Sequence, residues 1–454
     1  MKYFDRVLIA NRGEIARRII RTCKRLGIQT VSVYSEADAE LPFVKEADEA
    51  VPIGQSQAKM SYLDIEKILD AAKQTNAQAI HPGYGFLSEN PAFAKRCEEE
   101  GIVFIGPRSS MIQAMGSKIE ARRLMQAAGV PVVPGYDGKI DTVEEALRIA
   151  ESLGYPLMLK ASAGGGGIGM QLVSSAEELQ KVYSSTIQRA NSYFGDGTVF
   201  LEKFIENPRH IEVQVVCDHH GNAIHLFERE CSVQRRNQKV IEESPSPFLT
   251  GEDRRKLCET AVQGIKNIGY TNVGTMEFIF GNDHSFYFLE MNTRLQVEHP
   301  VTEAVTGLDL VELQLKIAAG EQLAIKQEDV KQNGHAVESR LYAEDPLTYF
   351  PSPGKINRLT FPGQDVRLDF AVVEGNTVSP FYDPMIGKII THGSTREEAL
   401  QKMERSLTEL DVDGITTNLP LLIQVLQNRD FQQGNYTTQL LNKMGNGGIG
   451  IVKG

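Results

Sequence analysis

Between residues 160 and 170 the chain reads Lys160-Ala161-Ser162-Ala163-Gly164-Gly165-Gly166-Gly167-Ile168-Gly169-Met170. The flanking segments Pro156–Ala161 and Met170–Val173 are short and apolar, which predicts a β-hairpin around the glycines. Glycine lets backbone N–H groups approach phosphate oxygens, and Lys160 adds a point charge. The run is not a Walker loop, because no Gly-Lys-Ser/Thr follows, nor a Rossmann fingerprint, because a strand follows. We interpret it as a phosphate-binding lid; a plain hairpin loop is the alternative.

Upstream of this lid, strand patterns alternate with helical patterns. The strand-like segments are Val7–Ala10, Thr30–Tyr34, Ala79–Ile80 and Val103–Ile105, and apolar residues recur at helical spacing between them. Such alternation predicts a parallel sheet with helices on both faces. We therefore expect a doubly wound α/β domain over residues 1–115, followed by regions of mixed helix and antiparallel strand.

A second predicted hairpin, Thr275–Phe280 with Phe286–Met291, carries acidic residues among apolar ones. Glu277 lies on its first strand, and Glu290 and Asn292 share one face of its second. Buried carboxylates are costly unless they are paired or bound to metal. Two carboxylates and an amide oxygen are hard ligands that suit Mg²⁺ or Mn²⁺ shared with substrate phosphates. The alternative is that the acids face solvent at a sheet edge.

The segment after this hairpin is strongly polar. Arg294 offers a bidentate fork for a small oxyanion, and Glu298 is a candidate general base. The alternative is a polar loop with an incidental salt bridge. The charged run 230–239 is by itself typical of a solvated face. Arg340 is by itself more typical of a structural residue than of a catalytic one.

Composition narrows the class of protein. The 454 residues carry a net charge of −11, which argues against nucleic-acid binding. The five cysteines are scattered without a CxxC pair, which indicates a reducing compartment. The sequence has neither an apolar run of membrane-spanning length nor a signal-peptide core, so we expect a cytoplasmic protein without membrane contact.

Six segments together resemble one family, the biotin carboxylases of the ATP-grasp superfamily, and the likeness covers essentially the whole chain. The segments are Ile9–Ala16, His81–Asn90, Glu206–His210, Glu290–Pro300, Pro351–Ile356 and Tyr382–Lys388. The resemblance implies an N-terminal domain at 1–115, an ATP-grasp domain at 116–330 with a mobile lid at about 132–204, and a mixed α+β C-terminal domain at 331–454. It also implies ATP-dependent carboxylation of biotin, in which bicarbonate attacks the γ-phosphate to give carboxyphosphate.

The family's site residues can be carried over by position. The resemblance implies that ATP is contacted by Lys118, Lys160, Gly166, Gly167, Glu202, Lys203, Phe204, Ile205, His210, Gln234, Asn237, Glu277 and Glu290. It implies two Mg²⁺ or Mn²⁺ sites on Glu277, Glu290 and Asn292, and bicarbonate contacts from Lys239, Arg294, Gln296 and Val297. Glu298 is then the base that deprotonates bicarbonate, and Arg340 stabilises the biotin enolate.

Departures from the family pattern are also informative. Ile168 stands where the lid usually has a basic residue, and Asn237 stands where a histidine is expected, so we expect weaker ATP binding. The chain carries no Ala-Met-Lys-Met biotin-attachment motif, from which we expect a separate biotin carboxyl carrier protein and separate carboxyltransferase subunits. The family is commonly homodimeric.

Three hypotheses follow from the sequence. The first is a biotin carboxylase, with acetyl-CoA, and hence fatty acid biosynthesis, as the default destination of the carboxyl group, and pyruvate, another acyl-CoA or urea as alternatives. The second is another ATP-grasp ligase that makes an acyl phosphate from a different acid, which leaves Glu298 and Arg340 without a joint role. The third is a nucleotide-binding regulatory subunit, favoured only by Ile168 and Asn237.

Overall fold

A computed structural model describes residues 3–136, 138–163 and 169–446. The first ten elements are β1 (Arg6–Ile9), α1 (Gly13–Arg25), β2 (Gln29–Ser35), α2 (Pro42–Glu46), β3 (Glu49–Gly54), α3 (Ile65–Gln74), β4 (Ala79–His81), α4 (Pro91–Glu99), β5 (Val103–Phe104) and α5 (Ser109–Gly116). The five strands form a parallel sheet in the order β3-β2-β1-β4-β5, which confirms the doubly wound prediction.

The turn after β1 is held against the loop after β4 by hydrogen bonds from one side chain. Asn11 donates from Nδ2 to the carbonyls of Pro82 and Tyr84, at 2.7 and 2.8 Å, and so joins the turn after β1 to the loop after β4. A Cβ at Gly83 would lie 2.8 Å from Asn11 Nδ2, and Gly83 has a φ of +62°. Only glycine therefore fits this close approach without strain.

The central region holds a small three-stranded unit and most of a larger sheet. Its elements are α6 (Lys118–Ala127), α7 (Val143–Leu153), β6 (Leu157–Ala161), β7 (Met170–Val173), α8 (Ala176–Phe194), β8 (Val199–Lys203), β9 (Arg209–Cys217), β10 (Ala223–Arg235), β11 (Gln238–Ser244), α9 (Gly251–Asn267), β12 (Asn272–Phe280), β13 (Phe286–Asn292), α10 (His299–Thr306) and α11 (Leu310–Ala318). Both predicted hairpins, β6–β7 and β12–β13, are confirmed as antiparallel pairs.

The lid has a hydrophobic core of its own. Strands β7, β6 and β8 form a separate sheet, and the two helices α7 and α8 pack on it. The core includes Leu157, Leu159, Leu179 and Leu201, and it is a cluster distinct from the other cores. A unit with its own core can move as a body. Residues 164–168, which include the predicted contacts Gly166 and Gly167 and the departure Ile168, lie outside the described residues.

The C-terminal region continues the central sheet. Its elements are β14 (His335–Tyr342), β15 (Gly354–Lys355), β16 (Arg358–Thr360), β17 (Val366–Phe370), β18 (Thr377–Val378), β19 (Met385–Gly393), α12 (Arg396–Glu409), β20 (Asp411–Asp413), α13 (Leu419–Gln427), α14 (Arg429–Gln432) and α15 (Leu440–Asn446). One eight-stranded sheet runs in the order β13-β12-β9-β10-β11-β14-β19-β17. Strand β14 pairs with β11, so side chains of the two regions meet on one surface. Among the described helices, none combines the length and the apolar character that a membrane span requires.

Candidate active site

A single cavity of about 880 Å³ collects the predicted site residues. All of those within the described part of the chain line it: Lys118, Lys160, Glu202, Lys203, Phe204, Ile205, His210, Gln234, Asn237, Lys239, Glu277, Glu290, Asn292, Arg294, Gln296, Val297, Glu298 and Arg340. They come from the lid, the eight-stranded sheet and the loop between β13 and α10. The fold thus brings segments far apart in sequence to one site, while the role of each residue remains a prediction.

The tight turn between β10 and β11 positions Lys239. Arg236 and Asn237 both have left-handed backbone, with φ of 47° and 65°, as a two-residue hairpin turn requires. Asparagine is one of the few residues that adopts this conformation readily, so Asn237 suits the turn. Gln234 and Lys239 are register partners beside it, and both line the cavity.

Lys239 is the centre of a buried ionic cluster. Its Nζ lies 2.5 Å from Glu212 Oε2, 2.8 Å from Glu277 Oε1 and 2.6 Å from Glu298 Oε1. Burial alone would lower the pKa of Lys239, but the three carboxylates raise it well above its usual value. The ammonium is therefore charged, and it offsets repulsion among three acids that could not otherwise be buried together.

Glu298 lies between two cations. Its Oε1 accepts from Lys239, and its Oε2 lies 2.8 Å from Arg340 Nη2. Burial would raise the pKa of Glu298, but Lys239 and Arg340 lower it well below its ordinary value. The carboxylate is ionised at neutral pH and can accept a proton. A strongly lowered pKa makes a weak base, so Glu298 would gain basicity only if one of these cations were withdrawn from it.

The predicted metal ligands converge on the β12–β13 hairpin. Glu277 and Glu290 are register partners, so their side chains share one face of the sheet. Asn292 donates from Nδ2 to Glu277 Oε1 at 2.8 Å, and Lys118 Nζ lies 3.6 Å from Glu290 Oε2. Opposed carboxylates repel each other, and these neighbours offset that repulsion only partly. The donor set, two carboxylates and an amide, fits Mg²⁺ or Mn²⁺.

His210 places a ring nitrogen beside Glu277, one of the predicted metal ligands. Its Nε2 lies 2.9 Å from Glu277 Oε2. Burial would lower the pKa of His210, but Glu277 raises it. The combination of Lys239 and His210 in turn holds the pKa of Glu277 well below its ordinary value, against the effect of burial. Glu277 is therefore an anion that is ready to bind a cation.

Arg294 and Gln296 are already engaged by protein groups. Arg294 donates from Nε to Glu89 Oε2 and from Nη2 to Asn292 Oδ1, each at 2.7 Å. Gln296 donates from Nε2 to Glu277 Oε1 at 2.8 Å. The carbonyl of Val297 accepts from Lys388 Nζ at 2.7 Å. An oxyanion bound at Arg294 would therefore have to replace contacts such as the one with Glu89.

At the lid, Lys160 and Glu202 form a buried ion pair across adjacent strands β6 and β8. Lys203 donates from Nζ to the carbonyl of Gly154 at 2.8 Å. The hinge residues Phe204 and Ile205 follow directly and line the cavity. Lys160 thus has a counterion that a nucleotide phosphate can replace.

Several functional-site residues were missed by the sequence reasoning. Arg229 has a fully buried side chain and donates from Nε to its register partner Glu212 at 2.6 Å, and from Nη2 to Gln296 at 2.6 Å. One signal could have found Glu212 and Gln214: they alternate with Ile211, Val213 and Val215 along β9, so one face of an otherwise apolar strand is polar. Glu89 and Lys388 lie in two of the segments that carry the family resemblance, His81–Asn90 and Tyr382–Lys388, but the sequence reasoning gave neither residue a role.

Family models match three consecutive parts of the chain. Residues 3–112 match the biotin carboxylase N-terminal domain, residues 117–326 match the ATP-binding domain of the carbamoyl-phosphate synthase L chain, and residues 338–443 match the biotin carboxylase C-terminal domain. The chain is 60% identical over 441 residues to biotin carboxylase 2 of Bacillus subtilis, covering 97% of this chain and 99% of that protein.

Two solved structures are also similar. A biotin carboxylase from Campylobacter jejuni, in a complex with a β,γ-ATP ligand, has a TM-score of 0.95 at 47% identity, covering 97% of this chain and 99% of the other. The biotin carboxylase domain of 2-oxoglutarate carboxylase from Hydrogenobacter thermophilus has a TM-score of 0.94 at 49% identity, covering 97% of each chain. That structure is a dimer in complex with MgADP, ADP and bicarbonate.

Proposed function

Since this chain belongs to the biotin carboxylase family, and is an ATP-dependent ligase that carboxylates biotin with bicarbonate, we propose how the residues of its cavity divide that reaction. One observation carries the proposal: Glu298 contacts both Lys239 and Arg340. A single carboxylate is thereby linked to the predicted bicarbonate contact on one side and the predicted biotin contact on the other. This arrangement favours the first of the three hypotheses, because it gives Glu298 and Arg340 a joint role.

The nucleotide end of the cavity is formed by the lid and the β12–β13 hairpin. Lys118, Lys160 and His210 face the phosphates, and the hinge 202–205 faces the base. Glu277, Glu290 and Asn292 would hold Mg²⁺ or Mn²⁺ in the two predicted sites. The bound metal would neutralise the phosphate charge. Gly166 and Gly167 remain predicted ATP contacts of the lid. Closure of the lid excludes water from carboxyphosphate, which hydrolyses readily.

Bicarbonate occupies the space between Lys239 and Arg294, with Gln296 and the backbone of Val297 as further contacts. Its negative charge competes with Glu298 for Lys239 and with Glu89 for Arg294. The loss of these ion pairs raises the basicity of Glu298, which then takes the bicarbonate proton. The deprotonated oxygen attacks the γ-phosphorus, and ADP leaves. Substrate binding itself therefore activates the base.

Biotin approaches from the Arg340 side. Carboxyphosphate breaks down to CO₂ and phosphate, and the phosphate removes the ureido proton of biotin. Arg340 then stabilises the negative charge that develops on the ureido oxygen, and the nitrogen adds to CO₂. The guanidinium suits this role, because it stays charged and directs several N–H donors toward an oxyanion.

The biological setting extends the proposal. We infer that biotin is presented by a carrier protein, that separate carboxyltransferase subunits use the product, and that two copies of this chain form a homodimer. The dimeric 2-oxoglutarate carboxylase domain supports the last inference. All five cysteines are unpaired and buried, which supports a cytoplasmic location. The domain bounds 1–115, 116–330 and 331–454 remain predictions. Acetyl-CoA as the acceptor of the carboxyl group is also a prediction.

ADP release under defined substrates tests the proposal. With Mg²⁺, ATP, bicarbonate and free biotin, we expect ADP release that depends on bicarbonate and is stimulated by biotin, together with carboxybiotin formation from labelled bicarbonate. Turnover with an amino acid or another carboxylate in place of bicarbonate would overturn the assignment. Identifying the biotinylated protein that co-purifies with the chain tests the carrier and the acceptor.

A further inference from the structure

Two buried glutamates face each other just behind the biotin end of the cavity. Glu242 on β11 and Glu338 on β14 are register partners in adjacent antiparallel strands, and neither side chain is exposed to solvent. Neither residue is among those that line the cavity. They cannot touch substrate there, so any role they have in the reaction acts through a neighbour.

That neighbour is Arg340. Its Nη2 lies 2.5 Å from Glu242 Oε1 and 2.8 Å from Glu298 Oε2, so the two carboxylates compete for one nitrogen. Within the described residues, the ion pair of Glu242 Oε1 with Arg340 is the one contact of these four carboxylate oxygens with a donor. A pair of ionised carboxylates in this position would leave the other three oxygens without a hydrogen bond and two like charges opposed.

Other charged and titratable groups face the pair from every neighbouring element. They are Arg340 and Tyr342 on β14, Lys388 on β19, Lys239 on β11, the Cys231 thiol on β10, Glu298 before α10, Tyr84 after β4 and, through its contacts with Tyr84 and Lys388, Glu14 on α1. Arg340 and Lys388 are the nearest cations, but Arg340 is shared with Glu298, and Lys388 is shared with Glu14 and with the carbonyl of Val297. Too little positive charge remains to neutralise both members of the pair.

We propose that Glu242 and Glu338 share a proton across β11 and β14, and that this shared proton makes them positioning residues which leave Arg340 free to turn its charge toward biotin. The inference rests on the proposed role of Arg340 in biotin carboxylation. With the proton in place, one carboxyl donates to the other, and Arg340 is balanced by Glu298 alone. Without it, Glu242 becomes a full anion 2.5 Å from Arg340 Nη2 and holds the guanidinium away from the substrate.

The sign of the pH dependence follows from burial. Burial raises the pKa of Glu242 to about 7, against the lowering effect of Arg340, and burial together with Glu242 raises the pKa of Glu338 well above its usual value. The pair therefore keeps a proton at neutral pH and loses it as the pH rises. We expect biotin-stimulated turnover to decline on the alkaline side, while the slow bicarbonate-dependent ADP release without biotin, which does not need Arg340, does not follow this decline.

Glutamine substitution tests the inference, because glutamine has nearly the shape of a protonated glutamate and cannot lose the proton. In Glu242→Gln, which cannot form the anion that restrains Arg340, we expect the alkaline decline of biotin-stimulated turnover to move up by at least about one pH unit. In Glu338→Gln, which leaves Glu242 without a carboxyl to share its proton and without an opposed like charge, we expect the decline to move to lower pH. Glu230→Gln is the matched control. Glu230 is another fully buried glutamate whose pKa burial raises to about 7, but it bonds to Ser232 and Ser246 instead of Arg340. Its substitution should leave that alkaline decline in place.

Infrared difference spectra test for the shared proton by a measurement that does not depend on turnover. The parent minus the Glu242→Gln/Glu338→Gln double variant should show a protonated-carboxyl band at pH 6 that weakens as the pH rises above about 7. Thermal unfolding provides a second independent test. A folded-state pKa above the unfolded value makes the parent lose stability as pH rises from about 4.5 to about 7, so Glu242→Gln should gain in melting temperature relative to the parent over that range.

Two results would overturn the inference. One is an alkaline decline that superimposes for the parent and both single variants; a purely structural role would lower turnover equally at every pH. The other is the absence of the carboxyl band at pH 6. If instead the parent itself lacks biotin-stimulated turnover, the proposed function fails, and the infrared and unfolding measurements still decide whether the pair holds a proton.

Discussion

The Oε1 atom of Glu298 lies 2.6 Å from Nζ of Lys239, inside a cluster that also buries Glu212 and Glu277. This contact keeps the proposed base ionised and weakly basic before substrates bind. Because bicarbonate is expected to use the same ammonium, the contact couples binding of the anion to activation of the base. A base held in this way does not take up a proton from water in the empty site.

Glu298→Gln should abolish bicarbonate-dependent ADP release while ATP binding is retained. Glutamine keeps the shape of the side chain but cannot take a proton, and general-base catalysis contributes roughly 10²–10⁴-fold. Steady-state ADP release and calorimetric ATP binding measure the two effects. Glu206→Gln, at an exposed carboxylate beside the hinge, serves as the control. Full turnover in Glu298→Gln would move the base elsewhere.

Lys239→Gln should destabilise the fold. The change leaves three buried carboxylates without their shared ammonium, and breaking a buried ionic contact costs about 3–5 kcal/mol. Urea unfolding at pH 7 measures the loss. Lys139→Gln removes an exposed lysine that pairs with Asp141, and it should leave the urea midpoint unchanged. Equal midpoints for the two variants would show that Lys239 does not hold the cluster together.

Glu290→Gln should weaken metal binding. The variant keeps the hairpin but removes one of two opposed carboxylates, and loss of a direct ligand should cost at least as much as loss of an outer-shell partner, about 10–100-fold in affinity. The Mn²⁺ concentration for half-maximal binding can be read by electron paramagnetic resonance with ATP present. Asp283→Asn, in the turn of the same hairpin, is the control. Unchanged Mn²⁺ affinity in Glu290→Gln would remove this residue from the ligand set.

Acid should weaken the contact between the eight-stranded sheet and the C-terminal helices. Glu243 accepts from His335 and Arg396 at 2.6 Å and from the Tyr436 hydroxyl at 2.5 Å. Burial would raise the pKa of Glu243, but His335 and Arg396 lower it to about 2. A lowered folded-state pKa contributes stability that is present above the unfolded value of about 4.5 and is lost as pH falls toward 2, here about 3 kcal/mol.

Urea unfolding across that pH range checks the contribution. The free energy of unfolding of the parent should exceed that of Glu243→Gln by about 3 kcal/mol more at pH 7 than near pH 2. Glu397→Gln, at an exposed position of α12, should follow the parent at each pH. A difference between parent and Glu243→Gln that does not change with pH would contradict the assignment of this carboxylate as a strongly ionised group.

Local patterns in the sequence were sufficient for the N-terminal α/β elements and for the two hairpins, while the family resemblance supplied most of the candidate site. Strand alternation and turn residues predicted both hairpins, because period-two spacing and hairpin turns depend only on neighbouring residues. The resemblance of a few short segments placed Lys118, Glu290 and Arg340 among the site residues. These motifs carry their chemistry in residue type and spacing, which can be read without coordinates.

Tertiary structure decided which charges are buried together. Glu212 and Lys239 lie on different strands, β9 and β11, that β10 separates, and Glu242 meets Glu338 only because β14 of the C-terminal region joins the central sheet. The charge state of such a carboxyl depends on desolvation and on partners supplied by distant segments. Neither can be read from the residues beside it, so the sequence alone predicted most of the residue types that line the cavity, and the fold determined which charged groups are paired and which stay protonated.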